Sequence, residues 1–524
     1  MYLTEPSRIP EIDAYATEKL GISVSDLMKR AGDCLAEETA RRIPAGGRVL
    51  ILVGSGNNGG DGYAAALRLT DSGYRVRICD VFGVGQRSES GQYFASLAAS
   101  RLGAPMPLDA LTDEMLAESD AVIDAILGTG ARFELSEELI SLFGRISAAP
   151  PSLLRVAADA PTGIDAEDGR ACRHSFRADL TVTFAFAKRG MFAYPAREYC
   201  GEIVVADIGL PEAEMTLAFP PSGALLDRSL AGSMIPCRPR NTHKGSFGRL
   251  LILAGSRAYR GAAMLASEAA LRAGAGVVTL ASHESVLEGA LLRTPELLTL
   301  ALPELDRIDR EGQCTVLDAA DKASAVLLGC GSGASVPLSG LIWELLSSEG
   351  APLLLDADGL NSLALHREES LHRLRKSKRQ VVLTPHPLEL SRLTGLPTSK
   401  IQSERIGVAR AFAEETGATV VLKGAGSVIV TPGEKITLNQ TGGPALSKAG
   451  SGDVLAGTAA AFLAQGIAPH SAASLAVYLH GAAGDTLAGE LSEYGVLPGD
   501  LPSAIAREIC VLERMRGEIC HVGR

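Results

Sequence analysis

Arg48-Val49-Leu50-Ile51-Leu52-Val53-Gly54-Ser55-Gly56-Asn57-Asn58-Gly59-Gly60-Asp61-Gly62 is the stretch that decides how this chain folds. Arg48 to Val53 is a short apolar run without alternation, the mark of a strand covered on both faces. The glycine turn after it leads into Tyr63 to Leu69, expected as a helix that ends near Gly73. Strand, glycine loop and helix in succession place free amide groups around an anion, and a strand buried on both faces belongs to a parallel sheet flanked by helices. The spacing is neither GxGxxG nor a Walker loop, which would need Gly-Lys followed by Ser or Thr. A bare turn of this kind is often only a tight connection. Four glycines and two asparagines within Gly56–Gly62 are harder to dismiss.

With 524 residues the chain is too long for one ordinary core, so at least two domains are expected. Its 46% hydrophobic and 21% charged residues suit a globular enzyme, and a net charge of −11 argues against a nucleic-acid binder. A small anion in a local nest of amides remains compatible with that charge. Nine scattered cysteines without C-x-x-C spacing fit reduced thiols, with neither a disulfide frame nor a zinc site. Met1 to Pro10 lacks the apolar core of a signal peptide, and no apolar run reaches membrane-spanning length, so a cytoplasmic protein is expected.

Residues 11–42 carry apolar positions at helical spacing and predict one or two amphipathic helices. Further strands are expected at Arg75–Cys79, Ala121–Ile126, Leu153–Ala158, Leu180–Phe186 and Ile203–Asp207. Two strand ends carry polar sets, Asp124 to Glu134 and Asp159-Ala160-Pro161-Thr162-Gly163-Ile164-Asp165. Ligands of such sheets bind beyond the carboxyl ends of the strands, where these loops fall. Any one of these Asp residues is more often a turn or cap; three loops at three strand ends shift the balance to a site.

The Gly56–Gly62 loop, the Asp-Ala-Ile-Leu-Gly-Thr-Gly run from Asp124 and the Asp-Ala-Pro-Thr-Gly run from Asp159 together resemble the N-terminal domain of the YjeF family, NAD(P)H-hydrate epimerase, over about the first 210 residues. The resemblance implies a Rossmann-like domain (1–215) in which Asn57, Asn58, Gly59, Gly60 and Asp61, with Gly128, Thr129, Gly130, Ala131, Arg132, Phe133 and Glu134, hold the hydrated nucleotide. It places Asp159 at the epimerised centre and a potassium ion on Asn58, Asp124 and Thr162, all hard oxygen donors. Thr162 stands where the family more often has Ser and keeps the hydroxyl; Lys29 replaces a usual acidic residue.

Pro211 to Gly232 has no sustained period and reads as linker, with bounds of 216–234. Beyond it, Arg249 to Ser256 echoes Arg48 to Ser55, and strands are expected at Gly276–Ala281, Ala325–Gly329, Pro352–Asp356, Gln380–Thr384, Ala418–Lys423 and Ser427–Thr431. Residues 235–524 therefore form a second doubly wound α/β domain. It closes on Gly450-Ser451-Gly452-Asp453 leading into a small-residue helix, Val454 to Gln465, stopped by Gly466. Asp453 is either a plain N-cap or a general base beside an anion hole.

Tyr259-Arg260-Gly261-Ala262, Gly329-Cys330-Gly331-Ser332-Gly333, Asp356-Ala357-Asp358, Thr384-Pro385-His386-Pro387-Leu388-Glu389 and Lys423-Gly424-Ala425-Gly426-Ser427, in that order before Gly450–Asp453, resemble the ribokinase-like domain of NAD(P)H-hydrate dehydratase over about residues 235–505. The resemblance implies ADP on Lys423, Gly424, Ala425, Gly426, Ser427 and Gly452, and the hydrated cofactor on Ala262, Gly331, His386 and Asp453. Leu388 occupies a position that is often Gly in the family. Phosphorylating the hydroxyl turns a poor leaving group into phosphate, with Asp453 taking the hydroxyl proton, and magnesium is expected with that chemistry. The implied substrates are hydrated NADH and NADPH with ADP, in a homo-oligomer that engages neither membrane nor nucleic acid. The competing reading is a ribokinase-group small-molecule kinase whose N-terminal domain senses nucleotide.

Overall fold

A computed structural model describes residues 2–83, 88–129 and 134–522. The chain divides into two compact units, Met1–Gly223 and Ala224–Arg524. In the first, the strands are β1 (Tyr2–Thr4), β2 (Arg48–Val53), β3 (Arg75–Asp80), β4 (Met106–Pro107), β5 (Ala121–Ala125), β6 (Leu154–Ala158), β7 (Leu180–Phe184), β8 (Ala187–Lys188) and β9 (Glu202–Ala206). Seven of them make a parallel sheet in the order β4-β3-β2-β5-β6-β7-β9, while β8 pairs with β1, Lys188 beside Thr4. Alternate residues of β2 explain its unbroken apolar run. Val49, Ile51 and Val53 join one core with the helices Val24–Ala40 and Asn57–Asp71, and Leu50 and Leu52 join another with the helix Glu137–Ala148. Each such buried aliphatic side chain stabilises the fold by roughly 1.5–3 kcal/mol. Strand order reverses between β2 and β5, so the loops after them part and leave a crevice at the switch point.

The helix after β2 starts at Asn57, six residues before the expected Tyr63, so most of the glycine loop is its first two turns. Packing is the reason. A side chain at Gly59 would meet the Gly54 carbonyl at 2.1 Å, and one at Gly62 would meet Ala125 Cβ at 2.7 Å. Glycine lets this helix lie against the strand ends, and that outweighs its poor helical propensity.

The second unit repeats the plan with β10 (Gly223–Leu226), β11 (Arg249–Leu253), β12 (Val277–Ser282), β13 (Leu298–Ala301), β14 (Ala325–Leu328), β15 (Leu353–Leu355), β16 (Val381–Leu383), β17 (Thr419–Leu422), β18 (Val428–Val430) and β19 (Ile436–Asn439). Its order is β13-β12-β11-β14-β15-β16-β17-β18-β19-β10; β13 to β17 run parallel, and β17-β18-β19 is an antiparallel meander. The switch point lies between β11 and β14. The alanine-rich helix Ser451–Ala464 is buried along nearly its whole length against the helix Arg260–Arg272, close enough that a side chain at Gly457 would strike the Ala266 carbonyl at 2.1 Å. The expected linker is corrected: residues 212–234 hold the helix Glu212–Ala218, β10 and the helix Arg228–Met234, elements too short to show a period in sequence. Among the described residues no helix is long and apolar enough to cross a membrane.

Candidate active sites

The loops at the ends of β2, β5, β6 and β7 enclose a cavity of about 340 Å³ lined by Asn57, Asn58, Asp61, Thr129 and Asp159 of the expected set. Ile12, Leu27, Met28 and Phe184 give it an apolar wall, and Asp13 and Lys188 add charge that the sequence did not single out. Gly56 caps the Asn57–Asp71 helix with no side-chain bond, so that helix begins with uncapped amides at the cavity. Gly128 is held at φ +58, and a side chain there would meet Asn58 Cγ at 2.9 Å. Glu134 is exposed and does not line the cavity, and Gly130, Ala131, Arg132 and Phe133 lie outside the described residues.

Asp124 and Thr162 bond to each other, and the Leu127 amide donates to Thr162 Oγ1 at 3.3 Å, one residue before the Gly128 against which Asn58 stands. Asp124 is fully buried; its Oδ1 accepts from Thr162 Oγ1 at 2.8 Å and its Oδ2 from the Thr162 amide at 2.7 Å. Burial pushes its carboxyl up to about 6, against the hydrogen bonds from Thr162 and Ile126. Asn58 is buried, and among the described residues neither of its amide atoms has a hydrogen-bond partner. An orphaned buried carbonyl oxygen is costly unless something fills its coordination.

Asp159 sits in the left-handed region, φ 62, where few non-glycine residues rest without an outside constraint. Its Oδ1 accepts from Lys188 Nζ at 2.5 Å, Thr183 Oγ1 at 3.1 Å and the Phe184 amide at 3.4 Å. Asp61 and Asp13 share the electrostatic field of that pair. Burial, then Asp159, raises the Asp61 carboxyl well above its ordinary range; burial raises Asp13 while Lys188 opposes it. Lys29 is a surface residue paired with Asp33.

In the second unit Gly450, at φ +102, is the N-cap of the Ser451–Ala464 helix. Asp453 is its third residue and carries no capping bond, so the plain N-cap reading is corrected. Burial first, and then the neighbouring Asp356, raises the Asp453 carboxyl to about 6. Cys330, Asp356 and Asp453 bring one donor atom each within 4.8 Å of one another. Asp356 accepts from Lys423 Nζ at 2.6 Å and Thr384 Oγ1 at 2.8 Å, and Glu389 Oε2 lies 3.8 Å from the same ammonium. A side chain at Gly452 would face this cluster openly, with Lys423 Nζ at 3.6 Å and Asp356 Oδ2 at 3.8 Å.

His386 caps the helix Pro387–Thr394: its Nδ1 accepts from the Leu388 and Glu389 amides, and Glu389 accepts from the His386 amide at 2.7 Å. Burial and the nearby Lys423 lower the imidazole, and burial raises Glu389 to about 7 although Lys423 opposes it. Gly331 and Ala262 are neighbours, since a side chain on the first would meet the second at 2.8 Å. Gly424 to Ser427 form the β17–β18 turn, backed by the buried Arg405 guanidinium, which donates to the Leu422 and Lys423 carbonyls. His480 is a further residue the sequence reading passed over; it meets Ser451 Oγ and the Ser451 carbonyl at 3.0 Å and thereby holds the Gly450–Asp453 turn.

Two sequence families match the chain. The YjeF-related protein N-terminus family matches residues 24–190, and the NAD(P)H-hydrate dehydratase family matches residues 250–507. The bifunctional NAD(P)H-hydrate repair enzyme of Moorella thermoacetica is 34% identical over 522 residues, covering 96% of this chain and 95% of its own. Its counterpart in Coxiella burnetii is 32% identical, covering 95% and 97%. Among solved structures, an ADP/ATP-dependent NAD(P)H-hydrate dehydratase of Bacillus subtilis, co-crystallised with ATP and magnesium, is 30% identical over 56% of this chain and 99% of that one, with a TM-score of 0.49.

Proposed function

The chain belongs to the family of bifunctional NAD(P)H-hydrate repair enzymes, and we propose that its two units divide that repair between them. The first interconverts the R and S epimers of hydrated NADH and NADPH. The second, ribokinase-like, returns the S epimer to the reduced cofactor with ADP as phosphoryl donor. The observation that carries this reading is Asp453, a carboxylate without a capping duty, half-buried beside uncapped helix amides and the Lys423–Asp356 pair.

Asp453 accepts the proton of the C6 hydroxyl as its oxygen attacks the terminal phosphorus of ADP. The amides of the Gly450–Gly452 turn and the Lys423 ammonium take up the charge that develops on the phosphoryl oxygens. The lone pair of the ring nitrogen then expels phosphate, and loss of a C5 proton restores the dihydropyridine. Lys423, Gly424, Ala425, Gly426, Ser427 and Gly452 are our ADP contacts, and Ala262, Gly331, His386 and Asp453 our contacts to the hydrated ring. In the epimerase, Asn57–Asp61, Gly128 and Thr129 hold the nucleotide, and Asp159 works at C6.

Potassium fits the donors present. The orphaned Asn58 carbonyl, Asp124 and Thr162 are hard oxygen ligands gathered under the glycine turn, and a bound ion would supply positive charge beside the nucleotide phosphates. Magnesium does not fit protein ligands here. In the Cys330, Asp356 and Asp453 group, a thiol is a poor partner and Asp356 is already bound to Lys423, so no step runs through it. A cytoplasmic homo-oligomer completes the proposal.

Incubating the full chain with ADP and hydrated NADH, and following the return of reduced cofactor, tests the whole reading. A stable phosphorylated product without recovered NADH would mark a kinase instead.

A further inference from the structure

We propose that Lys188 is a positioning residue of the epimerase, holding the Asp159 side chain fixed by one oxygen and leaving the other bare toward the cavity. The inference rests on the epimerase reading above. Lys188 is 2% exposed, yet lines the cavity. An ammonium has three donors, and all three are spent: on Asp159 Oδ1, Thr183 Oγ1 at 2.9 Å and the Phe184 carbonyl at 2.8 Å. It is therefore locked and not free to swing onto a phosphate. Asp159 Oδ1 carries every hydrogen bond of that carboxylate, while among the described residues Oδ2 accepts none.

The fold goes to some length to build this. Lys188 is set by the pairing of β8 with β1, and Asp159 is held at φ 62 with its amide bonded to the Val182 carbonyl at 2.8 Å. Among the described residues, the other charged groups facing the pair are Asp13, from the helix Ile9–Glu18, and Asp61, from the helix Asn57–Asp71. Asp13 and Asp61 line the same cavity as the pair, and burial raises both carboxyls, so these two hold the acid proton while Lys188 fixes Asp159 in place.

Inversion at C6 then balances. The C6–O bond breaks as the hydroxyl takes a proton from the Asp13 and Asp61 pair and leaves as water, the ring nitrogen forming an iminium. A second water adds to the other face, its proton passing to Asp159 Oδ2. One water departs and one enters; solvent exchange at the cavity resets the protons.

The full chain carrying Lys188→Met, Lys188→Arg or Thr183→Val decides the matter, with R-to-S interconversion read by chromatography and dehydration of the pure S epimer as the control for folding. Lys188→Met should lower epimerase kcat about 100-fold with KM little changed, as expected when a reacting group is misplaced by about an ångström. Lys188→Arg, which keeps a cationic donor, should recover part of that kcat, and Thr183→Val, which removes one bond to each partner of the pair, should cost about tenfold in kcat with KM little changed. If Lys188→Met fails to fold, the Arg and Val variants still decide. A kcat within threefold of wild type in Lys188→Met, a wild-type kcat in Thr183→Val, or a loss carried by KM alone in either would overturn the role. A wild-type chain that dehydrates the S epimer but never interconverts the two would instead sink the epimerase reading beneath it.

Discussion

Replacing Asp356 by Asn should shift the acid limb of dehydration downward in pH. On the proposed mechanism Asp453 works as a base only when ionised, and burial and then Asp356 push its carboxyl up to about 6. Activity is therefore present above about pH 6 and falls tenfold per unit below it, so that at pH 5 the wild type keeps about a tenth of its rate. The three donor atoms of Cys330, Asp356 and Asp453 lie within 4.8 Å. At the full 4.8 Å two like charges repel by about 3.5 kcal/mol at an effective dielectric of 20, about 2.5 pH units before any neutralisation. Lys423, 2.6 Å from Asp356, already cancels much of that charge. In Asp356→Asn it loses its closest carboxylate and turns toward Asp453 and Glu389, which pushes the same way. We expect a net shift of about one unit, leaving about half the maximal rate at pH 5. The assay is kcat/KM for NADH recovery between pH 4.5 and 8, normalised to each variant's own plateau. Glu389, pushed up to about 7, and His386, lowered from its ordinary value, also titrate nearby, and Glu389→Gln should leave a limb at about 6. A limb in Asp356→Asn that stays at 6 or rises would refute the reasoning. In Asp453→Asn the limb should vanish with about a 10²–10⁴-fold loss of turnover.

The two glycines of the Gly450–Asp453 turn should part company. Gly452→Ala meets only ordinary contacts and should fold with unchanged or slightly raised melting temperature, while the KM for ADP rises at least about tenfold as the methyl enters the binding face. Gly450→Ala, at φ +102 with Leu265 Cδ1 at 2.7 Å, should lose about 1–3 kcal/mol in denaturant melts. Exchange of potassium for choline should lower the melting temperature and the epimerase rate. Asn58→Leu should abolish that difference, and an equal potassium response in the variant would remove Asn58 from the ion site.

What sequence could tell depended on how local the cause was. β2, β5 and β14 were legible because a strand covered on both faces must be apolar throughout, and their loops because ligands gather at strand ends. The start of the Asn57–Asp71 helix was misjudged by six residues, since the glycines there answer to the Gly54 carbonyl and Ala125, contacts that propensity ignores. Asp453 read equally well as a cap; only the left-handed Gly450 shows that the cap position was already taken. Lys188 was invisible because its meaning comes from Asp159, 29 residues away, and from β1 at the far end of the unit. Lys423 was seen at its strand end, but its partner Asp356 lies 67 residues earlier.

The cap that His386 makes also settles which way its chemistry runs. With Nδ1 occupied by two amides and the ring kept neutral, the remaining proton must reside on Nε2, 3.3 Å from Glu389 Oε1 on one side and half open to solvent on the other. The ring can offer hydrogen outward but cannot receive it. A partner there must bring an oxygen, such as a carboxamide carbonyl or a phosphate. Asparagine could close the same helix end with its own side-chain oxygen, so His386→Asn separates the histidine that starts a helix from the histidine that greets a ligand.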